Sequence, residues 1–468
     1  MQAFLAPLEE LADYQEILRD RKKEEGIIQI AGCVNSQKTH LMYALGDGCE
    51  YRVIAFSSEE KAKRAYEEYR FLTEDVYLYP ARDLLFYYAD IKGKVLTGQR
   101  MEVLRALIEK KTGTSLTVIT TMDAFLDGLS APEEIRKRRI WLKSGDEISF
   151  SEFQSRLSAM GYERESQIEG PGQFAVRGGI LDVFPLTEEL PVRIELWGDE
   201  IDSIRSFDVE SQRSVENLEE VVIYPASENC GEEAGTVSFL DYFPKKESLL
   251  FLDEPLRLRE EAEAVETEYF HSRENRDEAG IDLEEEELKV FQTKEIIERM
   301  NAYSGIGFTT LESKCGPFRV RKTYSIQTKG VNPYNNSFEL LTRDLKRLKR
   351  SGYRVVLLSG SRTRAKRLAE DLRDYDLSSF YSEDMERTVN PGEIMVSCGY
   401  VAEGYEYPML KFTVISETDI FGKKKKKKKR RRYEGQKIQD FAELKPGDYV
   451  VHENHGLGIY QGIEKIEV

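Results

Sequence analysis

Short apolar runs alternate with stretches at helical spacing up to Thr121, and this alternation restricts the chain to a parallel sheet flanked by helices. Residues 27–31 read as a buried strand, followed by a turn and a helix from about Lys38. Residues 52–57, 76–79 and 116–121 read as further strands, with a helix over 59–72. Upstream, Leu8, Leu11, Tyr14 and Leu18 fall at helical spacing, so a helix is expected up to Glu25. Between about Trp141 and Pro225 the pattern changes to short alternating stretches divided by Gly-rich turns, as in FAVRGGILDVFPL and PVRIELWGDEIDSIRSFDVESQRS. A smaller β-rich module inserted into the first domain is expected there. The strand 249–252 then returns the chain to the α/β unit, and the charge-dense residues 257–300 read as helical.

A third unit begins near Thr323. Phe338, Leu341, Leu345 and Leu348 follow helical spacing behind Ser337, and Gly352 is placed to end that helix. RVVLLSGS leads into a helix over 363–372, and EIMVSCG and FTVISE supply further strands, closing a compact α/β domain at Gly422. Residues 423–432 are an unbroken run of Lys and Arg, which repels itself and reads as an extended linker. Beyond it, FAELKPGDYVVHENHGLGIYQGIEKIEV reads as the start of a small β-barrel with turns at Pro446-Gly447 and at Gly456/Gly458. It holds too few strands to bury a core, so the barrel reads as truncated. The resulting organisation is 1–138, an inserted module at 139–225, a return and helical connector at 226–322, a third domain at 323–422, a linker at 423–433 and a partial barrel at 434–468.

At 468 residues the chain is too long for one core. Hydrophobic residues at 40% and charged ones at 33% fit a globular protein, and no stretch approaches the ~20 apolar residues of a membrane helix. The opening residues lack a basic segment before an apolar block, so a secretory signal is not expected. Five scattered cysteines without a CxxC pair argue against a disulfide framework or zinc ribbon and point to the cytoplasm. Four histidines make a His-rich metal site improbable. Net charge is −17, and without residues 423–432 the balance is 58 basic against 85 acidic residues. Any nucleic-acid contact should therefore be local.

Gly32-Cys33-Val34-Asn35-Ser36-Gln37-Lys38-Thr39 has the length and the Lys-Thr of a phosphate-binding loop. Such a loop needs Gly before the Lys so that backbone N–H groups can wrap the phosphates. Gln37 stands there instead; its side chain is expected to crowd the approach and to disfavour the positive-φ geometry Gly tolerates. Leu249 to Leu252 followed by Asp253 and Glu254 resembles the magnesium-binding strand end that accompanies such loops. Together they read as an ATPase core that has lost its function. In residues 169–214, Arg177, Arg193 and Trp197 are candidates for one exposed patch, since Arg and Trp most often anchor interfaces. The bland alternative is two surface salt bridges and a Trp capping a core.

GPGQFAVRGGILDVFP and RIELWGDEIDSIRSFDVESQRS resemble the second domain of the bacterial transcription-repair coupling factors and the matching domain of the excision-repair protein UvrB. YPARDLLFYYADIKGKVLTGQR, LLFLDEP, ISETDIFG and KPGDYVVHENHGLGIYQGI agree with the coupling-factor family in the same order, so the resemblance covers essentially the whole chain. It implies a multidomain α/β protein: a degenerate helicase-like (RecA-like) parallel-sheet domain, an inserted UvrB-like domain, a second small α/β domain and the truncated start of a CarD-like β-barrel. It further implies that domain 1 neither binds nor hydrolyses ATP, and that domain 2 recruits UvrA through Arg177, Arg193 and Trp197. The last segment would contact RNA polymerase, through its beta subunit. The family's ATP- and magnesium-dependent DNA translocase lies beyond that segment, so no cofactor is expected in this chain. A monomer without membrane association is expected. UvrB's aromatic-rich DNA-gripping hairpin is missing from the short path between Tyr79 and Gln99.

Three readings compete. The first is an adaptor that recruits without chemistry of its own. The second, an active UvrB-like ATP-dependent repair helicase, requires Lys38 and Asp253 to act on phosphate and magnesium despite Gln37. The third, a CarD-like regulator using only its C-terminal barrel, leaves the preceding residues without a role.

Overall fold

Seven parallel strands form the central sheet, in the spatial order Val320–Ser325, Gly26–Ala31, Ser304–Thr309, Ser248–Asp253, Tyr51–Phe56, Leu116–Thr121 and Val76–Tyr79. The computed structural model describes residues 1–21, 23–82, 93–229, 236–278, 289–422, 449–452 and 456–459. Strands covered on both faces read as near-continuous apolar runs, and GIIQIA and SLLFLD are buried at every position, with the buried Gln29 amide donating to the Ser313 carbonyl at 2.6 Å. One face, with Ile28, Ile30, Ile54 and Phe251, packs on the helices Asn35–Leu45 and Glu59–Leu72. The other, with Val53, Ala55 and Leu252, packs on Gly93–Glu109 and the start of Pro255–Glu278.

Local signals set most of these elements. Ser58 caps the helix Glu59–Leu72 by accepting from the Lys61 N–H, and Glu59 and Glu60 complement the helix dipole in its first turn. The N-terminal segment is not one helix: Pro7 opens a short 3₁₀ turn at Ala6–Glu10, Leu11 is extended, and a new helix runs Ala12–Asp20. The expected helical stretch 257–300 is realised as Pro255–Glu278 and Thr293–Met300, with residues 279–288 outside the described ones.

A buried ionic cluster closes the sheet where the inserted module leaves and returns. The Arg100 guanidinium, inaccessible to solvent, donates to both Glu228 oxygens at 2.7 and 2.8 Å, to Asp127 Oδ2 at 2.6 Å and to the Pro80 carbonyl at 3.1 Å. Arg82 adds a contact to Glu228 at 3.1 Å, and Arg100 lies over the Tyr79 ring at 4.4 Å. Burial opposes ionisation of Glu228, but the two guanidinium groups outweigh it and hold the carboxyl below its ordinary range.

The inserted module is a six-stranded sheet in the order Ser214–Leu218, Glu200–Phe207, Val192–Trp197, Ile180–Val183, Gln173–Arg177 and Glu163–Glu165, antiparallel except for the last pair. It joins the host through a ribbon of Ile140–Lys143 and Glu220–Ile223. The helix Phe150–Ala159 covers its inner face through Phe153 and Leu157.

The strand Val320–Ser325 straddles the boundary expected at residue 323 and forms the edge of the first sheet beside Gly26–Ala31. The third sheet begins at Lys329–Gly330 and runs through Tyr405–Tyr407, Phe412–Ile415, Arg354–Ser359 and Ile394–Cys398 to Ser379–Tyr381. One of its faces, with Val356, Leu358, Met395 and Val414, shares a core with the first domain; the other, with Val355, Leu357 and Ile394, is covered by the helices Phe338–Arg350 and Arg362–Asp374. Residues 424–468 form a separate unit, in which Tyr449–His452 pairs antiparallel with Gly456–Ile459. Gly456 and Gly458 therefore lie in a strand rather than a turn, while Pro446-Gly447 and the basic run fall outside the described residues. Among the described residues no helix is long and apolar enough to cross a membrane.

Removing Arg100 takes the nearer cation from two buried carboxylates and leaves only Arg82 beside them. Arg100→Ala is expected to cost ~3–5 kcal/mol in urea unfolding. Adding Glu228→Gln to it is expected to cost less than the sum of the single changes, because the two groups share one network.

Candidate functional site

The phosphate-loop segment is folded and filled from within. Gly32 has φ +85, and a Cβ there would meet the Ile326 carbonyl at 2.6 Å, so only Gly fits. The helix begins at Asn35 rather than near Lys38, which places Gln37 within its first turn in helical backbone. Crowding by Gln37 therefore does not act through a forced positive φ; the left-handed positions are Gly32 and Asn35. Gln37 Oε1 instead accepts from the Val34 N–H at 3.2 Å, and its Nε2 donates to Tyr407 Oη of the third domain at 2.9 Å. The Lys38 ammonium sits between Asp253 Oδ1 and Glu254 Oε1, each at 2.6 Å. Burial alone would lower the Lys38 pKa, but the two carboxylates outweigh it and raise it. Thr39 and Ser36 bond the buried Glu68 carboxylate, and the Glu403 N–H donates to Ser36 Oγ at 3.1 Å. The expected residues Gly32, Gln37, Lys38, Thr39, Asp253 and Glu254 thus gather in one place, but each bonds protein.

His40, which sequence reasoning passed over, completes this arrangement. Its Nε2 lies 3.1 Å from the Phe4 carbonyl, which can only accept, so Nε2 carries the proton and Nδ1 accepts from Tyr407 Oη at 2.9 Å. The bonds run head to tail from the Val34 N–H through Gln37, Tyr407 and His40 to Phe4. The ring stacks on Tyr405 at 5.3 Å, and burial pushes its pKa down to about 4.

On the inserted sheet, strand alternation sets Arg177, Asp182, Arg193 and Trp197 on one face. Asp182, buried, accepts from Arg177 Nη2 at 3.0 Å and from Arg193 Nε and Nη2 at 2.7 and 2.9 Å. Arg193 also donates to Gln212 at 3.0 Å and lies over the Phe207 ring at 4.3 Å, leaving its side chain 16% exposed. The Arg177 side chain remains 48% exposed. Trp197 caps no core: it ends its strand at a two-residue turn with Gly198 at φ +65, and is 84% exposed. The two guanidinium groups thus differ, Arg193 being built in and Arg177 open. Asp182 could have been found in the sequence as an acid inside the apolar run Ile180–Val183.

Two outcomes follow from these environments. His40 takes a proton near 6.5 when unfolded and only near 4 in the fold, so native stability is full above about 6.5 and is lost as pH falls toward 4. The loss is on the order of 3 kcal/mol, and a His40→Asn variant should show a correspondingly flatter profile in denaturant titrations across that window. Arg177→Ala should change stability by less than ~1 kcal/mol, whereas Asp182→Ala, which removes the carboxylate from Arg193 and leaves it only Gln212, should cost about 1–3 kcal/mol in the same assay.

Residues 140–229 match the family described as the UvrB interaction domain, which is the inserted sheet with its ribbon, and residues 444–468 match the CarD-like/TRCF RID domain. The chain is 27% identical to a transcription-repair-coupling factor of Bacillus subtilis (strain 168), over 87% of its own length and 39% of that protein. It is 27% identical to the one of Staphylococcus haemolyticus (strain JCSC1435) and 28% identical to that of Staphylococcus aureus (strain bovine RF122 / ET3-1), in both cases over 84% of its own length and 38% of theirs. The chain spans about two fifths of the length of these relatives. Along most of its length the chain is a homologue of the transcription-repair-coupling factors, and its inserted sheet matches the UvrB interaction domain.

Proposed function

We propose that this chain acts as the recruiting portion of a transcription-repair-coupling factor, docking UvrA on the outer face of its inserted sheet. The observation that carries this reading is that the segment matching the UvrB interaction domain presents an open Arg177 and a protruding Trp197 on one face. An aromatic and an Arg on a rigid sheet lose little conformational entropy on binding, which suits an interface anchor. Arg193 and Asp182 hold Arg177 in place rather than meeting the partner. RNA polymerase, engaged at its beta subunit, is the partner for the CarD-like segment, and the protein works as a monomer in the cytoplasm. The loop at Gly32–Thr39 takes no nucleotide, because Gln37 and Lys38 are bonded to Tyr407, Asp253 and Glu254. ATP, magnesium and the DNA translocase then belong to other parts of such a protein.

Calorimetric titration of the chain with UvrA tests the docking face. Arg177→Ala and Trp197→Ala are each expected to weaken binding about tenfold or more, corresponding to ~1.4 kcal/mol or above. Asp182→Asn is expected to weaken it less. Unchanged affinity in both Arg177→Ala and Trp197→Ala would overturn the assignment. A parallel titration with ATP and magnesium is expected to give no heat of binding; micromolar affinity abolished by Lys38→Ala would instead favour a UvrB-like ATP-dependent helicase.

A further inference from the structure

The third domain turns a basic surface away from the first domain. Both helices that cover its outer sheet face are amphipathic, and Leu341, Leu345, Leu348, Ala365, Leu368 and Leu372 form their buried stripes. Their remaining positions hold ten Lys and Arg against five Asp and Glu, in a chain whose net charge is −17. The excess is densest on Phe338–Arg350, where nearly every solvent-facing position after the first turn is basic. Arg347 pairs with Asp344, but among the described residues no carboxylate lies within ion-pair distance of Arg343, Lys346, Lys349 or Arg350.

Three of these charges fall in the last turn, where they favour the helix dipole, yet that contribution needs no clustering along the rest of the helix. Arg343, Lys346 and Arg350 recur at one-turn spacing, a rise of about 5 Å, and form a continuous stripe along the axis. A protein-binding surface usually has an apolar or aromatic centre and few Lys. This stripe has no large apolar side chain within it; the nearest exposed one on the helix is Leu340, before it. Repeated unpaired cations without an apolar centre match a repeated anion, as in a nucleic-acid backbone.

We propose that the outer helix Phe338–Arg350 of the third domain, through Arg343, Lys346, Lys349 and Arg350, is a phosphate-backbone contact for duplex DNA that carries no sequence preference. The surface lies on a different sheet from the UvrA-docking face, and the two assignments stand or fall separately.

The test uses the full chain with residues 423–432 replaced by Gly and Ser, so that the basic run cannot supply the binding. Fluorescence anisotropy with a labelled 30-base-pair duplex at 50 mM salt is expected to show binding that is insensitive to base sequence. Lys346→Glu, Lys349→Glu and Arg350→Glu combined should weaken it at least tenfold. The milder Lys346→Gln, Lys349→Gln and Arg350→Gln set should lower the slope of log affinity against log salt by about 3, roughly 0.9 per lost phosphate contact. Glu339→Lys, which adds charge without risk to the core, should tighten binding. Absence of binding by the parent, or equal binding by parent and both triple variants, would overturn the proposal. Competition by poly-glutamate as effective per charge as DNA would reassign the surface to an acidic protein and equally overturn it.

Discussion

A guanidinium with no access to water fixes where this molecule can be interrupted. Arg100 brings the end of the strand Val76–Tyr79, the residue Asp127 ahead of the insertion and Glu228 behind it to a single point. An unpaired charge at that depth is prohibitive, so the three segments must arrive together or the sheet does not close. Everything between Asp127 and Glu228 can then differ in architecture from its host. Here it is an antiparallel sheet with its own core, attached by a two-stranded ribbon.

The same economy operates at the loop Gly32–Thr39. A phosphate loop depends on unpaired N–H groups, a free ammonium and carboxylates ready for a cation. In this chain the ammonium and carboxylates neutralise one another, and Gln37 spans to Tyr407. Here Gln37 and Ser36, on the first turn of the helix Asn35–Leu45, bond Tyr407 and the Glu403 N–H and so join two domains. His40 ties the N-terminal helix to the same joint, so three parts of the chain share one set of directed hydrogen bonds.

Elements whose signals are local were legible in the sequence. The helix Glu59–Leu72 and the strands Val76–Tyr79 and Leu116–Thr121 fall where the periodicity and caps put them. What escaped was pairing between distant residues. Nothing near Gln37 announces a hydroxyl 370 residues away, and the largely polar Val320–Ser325 gives no sign of which sheet its edge will join. On the face of the inserted sheet that holds Arg177 and Arg193 the residue types were visible but their separate environments were not. That Arg193 is locked and Arg177 open follows from Asp182 and Phe207, which touch Arg193 from neighbouring strands.

The ribbon of Ile140–Lys143 and Glu220–Ile223 has a mechanical meaning. Its two strands enter and leave the host side by side, so a tug on the inserted sheet draws both in one direction and does not slide one against the other. The rungs between them are spared. Tension passes instead to the anchored ends, where the interlocked guanidinium and carboxylates resist it, making the insertion a tethered handle whose grip lies inside the host.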